Sequence, residues 1–204
     1  MPLTLLSYKL AVLFALANAD RSSDLAALDL RFRTYQGNGV RFIIPGLTKT
    51  RRSGPPKEAF YASFPEEVAI CPVKTLKEYE LRTVSFRPKD ITVPTPLFLA
   101  VRRPHNPVKP ATIGHWLKVM ELSGMDTSMF SAHSTRGAST SKASVVGVSI
   151  GAILQAADWS TPSTFQRFYH RPLHSTEFGR AVLGTSQHPK NPHVSDFERY
   201  HLVN

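Results

Sequence analysis

The sequence predicts an α+β fold that is mainly helical with one small antiparallel β-sheet. Three strand-like runs are confined to residues 30–64, and Gly37-Asn38-Gly39 between the first two is a strong signal for a hairpin turn. Helical spacing of apolar residues dominates the rest of the chain up to residue 170. The 204 residues, 42% of them hydrophobic, can bury one core. We expect one domain at residues 1–172 and a polar C-terminal tail at 173–204 with at most one short helix.

The first predicted helix is the apolar stretch LLSYKLAVLFALANAD, residues 5–20. Its apolar residues fall broadly at helical spacing, which favours burial of one wide face. No positive charge precedes the stretch, and Lys9 interrupts it. It is also shorter than the ~20 residues that span a membrane. We therefore expect a core helix, and neither a signal peptide nor a membrane anchor.

A second helix and the sheet follow. Asp20 is suited to cap this helix, whose inward positions are Leu25, Ala26, Leu28 and Leu30. After the hairpin comes the loop TKTRRSGPPK, residues 48–57, because Gly-Pro-Pro cannot continue a β-ladder. The third strand is EAFYASF, residues 58–64.

Five further stretches predict helices by the spacing of their apolar residues. They are PVKTLKEYELRTV (72–84), ATIGHWLKVMELSG (111–124), MFSAHSTRGASTSKASVV (129–146), SIGAILQAAD (149–158) and PSTFQRFYH (162–170). Helices therefore dominate the chain after the sheet.

The charge balance favours a polyanionic partner. Lys and Arg number 25 against 15 for Asp and Glu, so the formal net charge is +10. Such a balance suits a nucleic acid or a membrane surface and does not separate the two. The single cysteine, Cys71, excludes an internal disulfide and a cysteine-cluster zinc site. The histidines after residue 169 lack zinc spacing, so no metal site is expected.

The stretch FSAHSTRGAST, residues 130–140, places His133 and Arg136 about one helical turn apart among small residues. Both side chains can then point towards a common target, and the small neighbours let a bulky ligand approach. Taken alone, the pair is also typical of a solvated helix face.

Four other residues supply matching chemistry, and they are Arg21, Lys49, Trp159 and Tyr169. Two arginine forks can bind the non-bridging oxygens of a phosphodiester and neutralise charge that builds on phosphorus. Lysine and histidine can move protons, and tyrosine can act as a covalent nucleophile. The six residues therefore predict a phosphodiester site that needs neither a metal nor another cofactor.

In this order and spacing, these residues resemble the tyrosine recombinase (phage integrase) family over residues 4–172 or so. The two segments SAHSTRGASTSKA and AADWSTPSTFQRFYHRP are most similar to recombinases of DIRS-type retrotransposons. The resemblance implies the catalytic-domain fold of that family, double-stranded DNA as partner and a homo-oligomer, a tetramer, on DNA. It also implies the nucleus if the element is eukaryotic, and otherwise the cytoplasm.

The resemblance assigns phosphate-binding roles to three residues. Arg21 and Arg136 would clamp the scissile phosphate, and Trp159 would donate its indole N–H to a phosphate oxygen while packing the site. Asp24 matches the acidic residue of the family and would orient the basic groups. Two plainer alternatives stay open: a surface ion pair between Arg21 and Asp24, and a Trp159 that belongs only to the core.

The resemblance also assigns the proton transfers and the nucleophile. Lys49 would protonate the departing 5′ oxygen, with Arg51, Arg52 and Lys57 as its rivals. His133 would assist proton transfer at Tyr169, which would form the 3′-phosphotyrosyl bond. Tyr169 stands one residue later than the family typically places it, which leaves Phe168 at the usual position and suggests one inserted residue around Pro162.

Basic residues in predicted loops are the expected contacts to DNA phosphates, which add affinity and little sequence information. They are Lys49, Arg51, Arg52, Lys57, Arg102, Arg103 and Lys109.

The resulting hypothesis is DNA strand cleavage and rejoining in recombination or integration of a mobile element. The alternatives are a type IB topoisomerase-like activity and a non-catalytic DNA-binding module derived from such a recombinase. The resemblance starts at the first helix of the catalytic region, without the N-terminal clamping domain that the family generally carries. Three explanations stay open: a fragment, a mispredicted open reading frame, or a minimal remnant, which would still bind DNA yet recombine poorly.

Overall fold

The computed structural model describes residues 1–46, 55–90, 92–119 and 134–168. The chain divides into two units, Met1–His170 and Arg171–Asn204, and all described residues belong to the first. The domain boundary predicted at residue 172 and the tail lie outside the described residues and stay predictions.

Helix α1, Leu3–Ala17, forms the centre of the core as expected. Leu6, Leu10 and Phe14 on its buried face are fully shielded from solvent. The helix packs against four other helices and the third strand, which explains why so many of its positions are apolar. In the four described ranges, no helix is both long and apolar enough to cross a membrane.

Helix α2 is short, Ser22–Ala26, and the predicted cap is wrong. Arg21 occupies the N-cap position, and the Asp24 carboxylate accepts a hydrogen bond of 3.1 Å from the Arg21 backbone N–H. Asp20 instead turns its side chain into the core, where it binds a lysine and a tyrosine of the third strand. These distant partners hold the carboxylate more firmly than one N–H at a helix end.

The sheet has the antiparallel order β1-β2-β3, with strands Arg33–Gln36, Gly39–Ile44 and Lys57–Ala62. The predicted hairpin is confirmed, since Gln36 pairs with Gly39 across the turn. Strand β3 begins at Lys57, so the prediction that this lysine lies in a loop is wrong. Lys57, Ala59 and Tyr61 alternate onto the inward face and are buried.

Five helices follow, where the sequence predicts them. They are α3 (Pro72–Thr83), α4 (Pro110–Lys118), α5 (Ser134–Val145), α6 (Ile150–Ala156) and α7 (Pro162–Phe168). Short 3-10 turns lie at Leu30–Phe32, Val68–Ile70 and Val84–Phe86. The second half of the predicted fourth helix and the start of the fifth fall outside the described residues. Seven helices with a three-stranded antiparallel sheet confirm the predicted α+β class for the part of the chain described.

The contact between α1 and the sheet is aromatic. The ring of Phe14 stacks on that of Tyr61 with centroids 3.7 Å apart, and Phe42 meets both rings edge-on at 6.2 and 6.1 Å. Fully burying one such side chain contributes about 1.5–3 kcal/mol to stability. This packing fixes the C-terminal half of α1 against β3, and the candidate site lies directly after α1.

Candidate active site

Arg136 on α5 joins three separate parts of the chain. Its guanidinium donates a 3.1 Å hydrogen bond to the carbonyl of Ala19 after α1, and another to the carbonyl of Ala157 at the end of α6. Its Cζ lies 4.7 Å from the ring centroid of Trp159. The side chain is only 3% exposed, so these contacts hold the charge at a buried position. The structure therefore brings Arg136, Trp159 and the segment before Arg21 together.

Unusual backbone conformations accompany both carbonyls that Arg136 binds. Ala19 itself has φ 49°, and Asp158, the residue after Ala157, also has φ 49°. This left-handed region is rare for residues with a Cβ, and it costs about 1–2 kcal/mol for most of them. Both turns end a helix sharply, and their carbonyls accept hydrogen bonds from the guanidinium.

Arg21 follows Ala19 by two residues and is half-buried. Within the described ranges its guanidinium makes no hydrogen bond, ion pair or ring contact. The alternative of an Arg21–Asp24 ion pair does not occur, because the Asp24 carboxylate pairs with Lys57 and, within Arg21, binds only the backbone N–H. A guanidinium two residues after the carbonyl that Arg136 binds, with no acceptor among the described residues, suits an anionic ligand.

Trp159 packs between Arg136 and the core, and its predicted bond to a phosphate oxygen stays a prediction. Its ring faces the Arg136 guanidinium and also meets the fully buried Phe165 of α7, with ring centroids 6.1 Å apart. Its backbone N–H bonds the carbonyl of Leu154 at 2.9 Å, which ties the residue to the end of α6. A half-buried indole over a guanidinium contributes about 0.5–2 kcal/mol as a cation–π contact.

A buried ionic cluster adjoins the backbone of Arg21. We call it the carboxylate–lysine cluster, and its members are Asp20, Asp24, Lys57 and Tyr61. The Lys57 ammonium lies 2.9 Å from an oxygen of Asp20 and 2.9 Å from an oxygen of Asp24. The Tyr61 hydroxyl donates a 2.6 Å bond to the other Asp20 oxygen. Asn18 donates a further bond of 3.1 Å to Asp20, so both carboxylates are well satisfied.

Burial and charge oppose each other in this cluster. Burial alone would lower the pKa of Lys57, but the two carboxylates outweigh it and the pKa is raised above its ordinary value. Burial raises the pKa of Asp20, although Lys57 and Tyr61 counteract that effect. The pKa of Tyr61 lies well above the ordinary range because the phenol is buried beside Asp20. Tyr61 is therefore a neutral donor and no candidate nucleophile.

Lys57 cannot act as the sequence analysis proposed. Its side chain is 3% exposed and sits between two carboxylates, whereas a phosphate contact in a loop needs an accessible ammonium. A raised pKa also makes it a poor rival of Lys49 as general acid. The alternation of β3 is the sequence signal that marks it, because Lys57 shares the face of Ala59 and Tyr61.

The other predicted site residues divide between the described and undescribed parts of the chain. Arg102 and Arg103 are exposed in a turn, and Lys109 is exposed at the N-cap of α4, so all three are accessible to a polyanion. The remaining predicted residues lie outside the described ranges, and they are Lys49, Arg51, Arg52, His133 and Tyr169. His133 directly precedes α5, and Tyr169 directly follows the last residue of α7.

Within residues 1–46, 55–90, 92–119 and 134–168, no three His, Cys, Asp or Glu side chains come close enough together to hold a metal ion.

Solved structures with a similar fold are DNA recombinases and an integrase. XerH site-specific recombinase, in a post-cleavage complex with its palindromic difH substrate, superposes with a TM-score of 0.68 over 91% of this chain and 48% of its own, at 13% identity. XerA recombinase matches with a TM-score of 0.61, 17% identity, 91% of this chain and 61% of its own. The Tn1549 transposon integrase, in complex with circular intermediate DNA, matches with a TM-score of 0.52, 14% identity, 85% of this chain and 56% of its own.

No protein-family profile matches the sequence, and no curated protein matches it. The structural similarity therefore establishes the fold, which is that of the tyrosine recombinase catalytic domain, as the sequence predicts. The chain spans about half the length of the XerH recombinase.

Proposed function

We propose that this protein cleaves and rejoins DNA strands through a covalent bond between Tyr169 and a 3′ phosphate. The observation that carries the proposal is the position of Arg136. Its guanidinium packs on Trp159 and binds the carbonyl two residues before Arg21, within a fold that recombinases share. These contacts support the proposal that Arg21, Arg136 and Trp159 serve one phosphodiester site.

The arginines would bind the scissile phosphate. Arg136 is held by two backbone carbonyls and an indole, so it presents a fixed charge at little reorganisation cost. The half-buried Arg21 would supply the second fork. Together they would neutralise the charge that develops on phosphorus in the pentacoordinate transition state.

The covalent step would exchange one phosphodiester for another. The Tyr169 phenol oxygen attacks phosphorus and gives up its proton with help from His133, while the bond to the 5′ oxygen breaks. Lys49 protonates that oxygen, so the products are a 3′-phosphotyrosyl link and a free 5′ hydroxyl. A 5′ hydroxyl from a partner duplex reverses the step, which conserves the bond energy without a cofactor.

The proposed setting is a homo-tetramer on double-stranded DNA in a mobile element of the DIRS type, acting in the nucleus. The net charge of +10 supports DNA as the partner. The sequence around Arg136 and Trp159 supports a recombinase of the DIRS type. Arg102, Arg103 and Lys109 are exposed and would contact phosphates outside the active site.

A nicked suicide substrate tests the proposal. Loss of the short fragment beyond the nick removes the 5′ hydroxyl needed for religation, so protein stays on DNA and migrates slowly under denaturing conditions. We expect trapping by the full chain, also in excess EDTA. Binding without trapping would instead support the DNA-binding module. Trapping and religation without joint molecules between two duplexes would support the topoisomerase-like activity.

A further inference from the structure

Arg21 has a fixed backbone, whereas its side chain has no partner among the described residues. Its guanidinium is half-buried and makes no hydrogen bond or ion pair in the described part of the chain. Its backbone N–H, by contrast, donates to the Asp24 carboxylate at 3.1 Å, and its carbonyl accepts from the backbone N–H groups of Asp24 and Leu25. The direction of this arginine therefore depends on how firmly its backbone is held.

The carboxylate–lysine cluster holds that backbone from both sides. Asp20 precedes Arg21 directly, and Asp24 follows it by one helical turn. One ammonium, that of Lys57, binds both carboxylates at 2.9 Å. The Oδ2 atom of Asp24 accepts hydrogen bonds from both the Lys57 ammonium and the Arg21 backbone N–H. A single oxygen atom therefore links the Lys57 side chain to the backbone of Arg21.

The cluster is a costly way to stabilise a fold. Burying an ion pair costs desolvation energy that the attraction often only balances, and apolar replacements of similar volume are often neutral or stabilising. The same positions could hold apolar side chains, because their surroundings are largely apolar. Ala59 is fully buried on the same face of β3, and the Phe14 ring stacks on that of Tyr61. What charged groups add is a defined geometry at Arg21.

We infer that Lys57 is a positioning residue, which bridges Asp20 and Asp24 and thereby aims the Arg21 guanidinium at the scissile phosphate. This inference rests on the proposed function. Lys57 acts through Arg21 and touches neither DNA nor the nucleophile. Its removal slows the chemical step by roughly 10-fold to 10²-fold, the size of loss that a misplacement near 1 Å produces. DNA affinity changes little, because one guanidinium among many phosphate contacts is affected.

A double-mutant cycle with Arg21 tests the inference. The readout is the single-turnover rate of covalent trapping at saturating protein, for Lys57→Met in the wild-type and Arg21→Ala backgrounds. We expect the loss in the wild-type background only, since without the arginine there is nothing left to aim. Lys57→Arg, whose guanidinium can bridge the same carboxylates, should recover most of the rate. An equal loss in both backgrounds would overturn the inference.

Two further variants separate positioning from stability. Lys57→Met leaves two buried carboxylates unpaired, so the triple variant Asp20→Asn/Asp24→Asn/Lys57→Met, which removes all three charges, provides a folded alternative. Leu76→Ala, a truncation in the core on α3, is the matched control for lost stability. If Leu76→Ala lowers the unfolding temperature as much as loss of Lys57 does and also slows trapping as much, the slower trapping reflects lost stability and the inference is wrong.

A spectroscopic measurement is independent of cleavage. The Nε–Hε signal of Arg21, assigned by its absence in Arg21→Lys, should lie apart from those of exposed arginines and move towards them in the triple variant. If the wild-type chain traps no DNA but this signal responds, the proposed function fails and the positioning stands. If the signal is unchanged by loss of Lys57, the positioning fails whatever the activity.

Discussion

Arg136 donates a hydrogen bond to the carbonyl of Ala19, a residue 117 positions earlier in the chain. The same guanidinium binds Ala157, so a single side chain connects the ends of α1 and α6. Its charge is thereby fixed before any ligand arrives, which is the condition for electrostatic stabilisation of a transition state.

Arg136→Ala should slow cleavage by about 10²-fold or more, a loss of about 3 kcal/mol of transition-state stabilisation. Because two buried carbonyls lose a donor, unfolding should also become easier, by about 1–3 kcal/mol. Single-turnover trapping at saturating protein measures the first effect, and urea unfolding the second.

The exposed Arg102 provides the control for Arg136. Arg102→Ala should weaken DNA binding without slowing the chemical step. The slope of log affinity against log salt concentration should fall by about one, because about one fewer counterion is released on binding. If Arg136→Ala and Arg102→Ala behave alike in both assays, Arg136 is a binding residue and the catalytic proposal loses its main support.

Tyr169→Phe should abolish covalent trapping and leave DNA affinity nearly intact, because the phenol oxygen itself forms the bond to phosphorus. Tyr61→Phe is the matched control, since its hydroxyl is buried against Asp20. It should cost about 1–3 kcal/mol of stability, because a buried carboxylate loses a donor, but covalent trapping should remain detectable. Trapping that survives Tyr169→Phe would rule out this nucleophile.

The carboxylate–lysine cluster should make the fold sensitive to alkali. The folded state holds the Lys57 proton more tightly than the unfolded chain, so its stabilising contribution is complete below the ordinary pKa of 10.5 and is lost as pH rises through the higher folded value. Wild type should therefore lose more unfolding free energy above that pH than the triple variant without the three charges. Parallel curves for the two proteins would contradict the raised pKa.

Ala19→Gly should leave stability unchanged or raise it slightly. The left-handed φ of 49° is strained for alanine, and glycine relieves about 1–2 kcal/mol of that strain while adding about 0.4–1 kcal/mol of chain entropy to the unfolded state. Ala15→Gly, in the buried interior of α1, is the control and should cost about 1 kcal/mol or more. Equal losses for the two variants, measured by urea unfolding, would argue against the left-handed turn.

Gly39→Ala should destabilise the hairpin by about 1–3 kcal/mol, the usual cost of overpacking. A Cβ at this position would come within 2.5 Å of the Tyr61 carbonyl oxygen, a backbone atom that cannot move aside freely. The neighbouring Gly37 has nothing within 4 Å of a built Cβ, so Gly37→Ala should cost far less. Urea unfolding of both variants measures the difference. If the two substitutions lowered the free energy of unfolding equally, the pairing of β2 with β3 at this register would be wrong.

Local patterns made the fold predictable. The hairpin follows from the conformational freedom of Gly37-Asn38-Gly39, and the helices follow from apolar spacing and from prolines at the starts of α3 and α4. The error at Asp20 has a physical cause. A good N-cap residue before a helix normally binds the helix, but here the side chain finds Lys57, 37 residues away.

The candidate site was predictable in its residue types and not in its geometry. Arg136 and Trp159 could be selected because guanidinium and indole chemistry suits a phosphate. Their contacts could not, because Arg136 binds backbone carbonyls, which every residue carries. Nothing in the immediate sequence of Tyr61 indicates the Asp20 carboxylate that its hydroxyl binds.

The two carbonyls that Arg136 binds also constrain the order in which the site can form. One carbonyl precedes Arg136 by 117 positions and the other follows it by 21. Both hydrogen bonds can therefore form only after nearly all of the domain has been synthesised. Contacts of such sequence separation form late in folding, because loop closure must precede them. A nascent chain released before Ala157 would contain both arginines and still lack one of the two carbonyls that orient Arg136. The contacts that orient Arg136 are therefore complete only once the end of α6 has been synthesised and has folded.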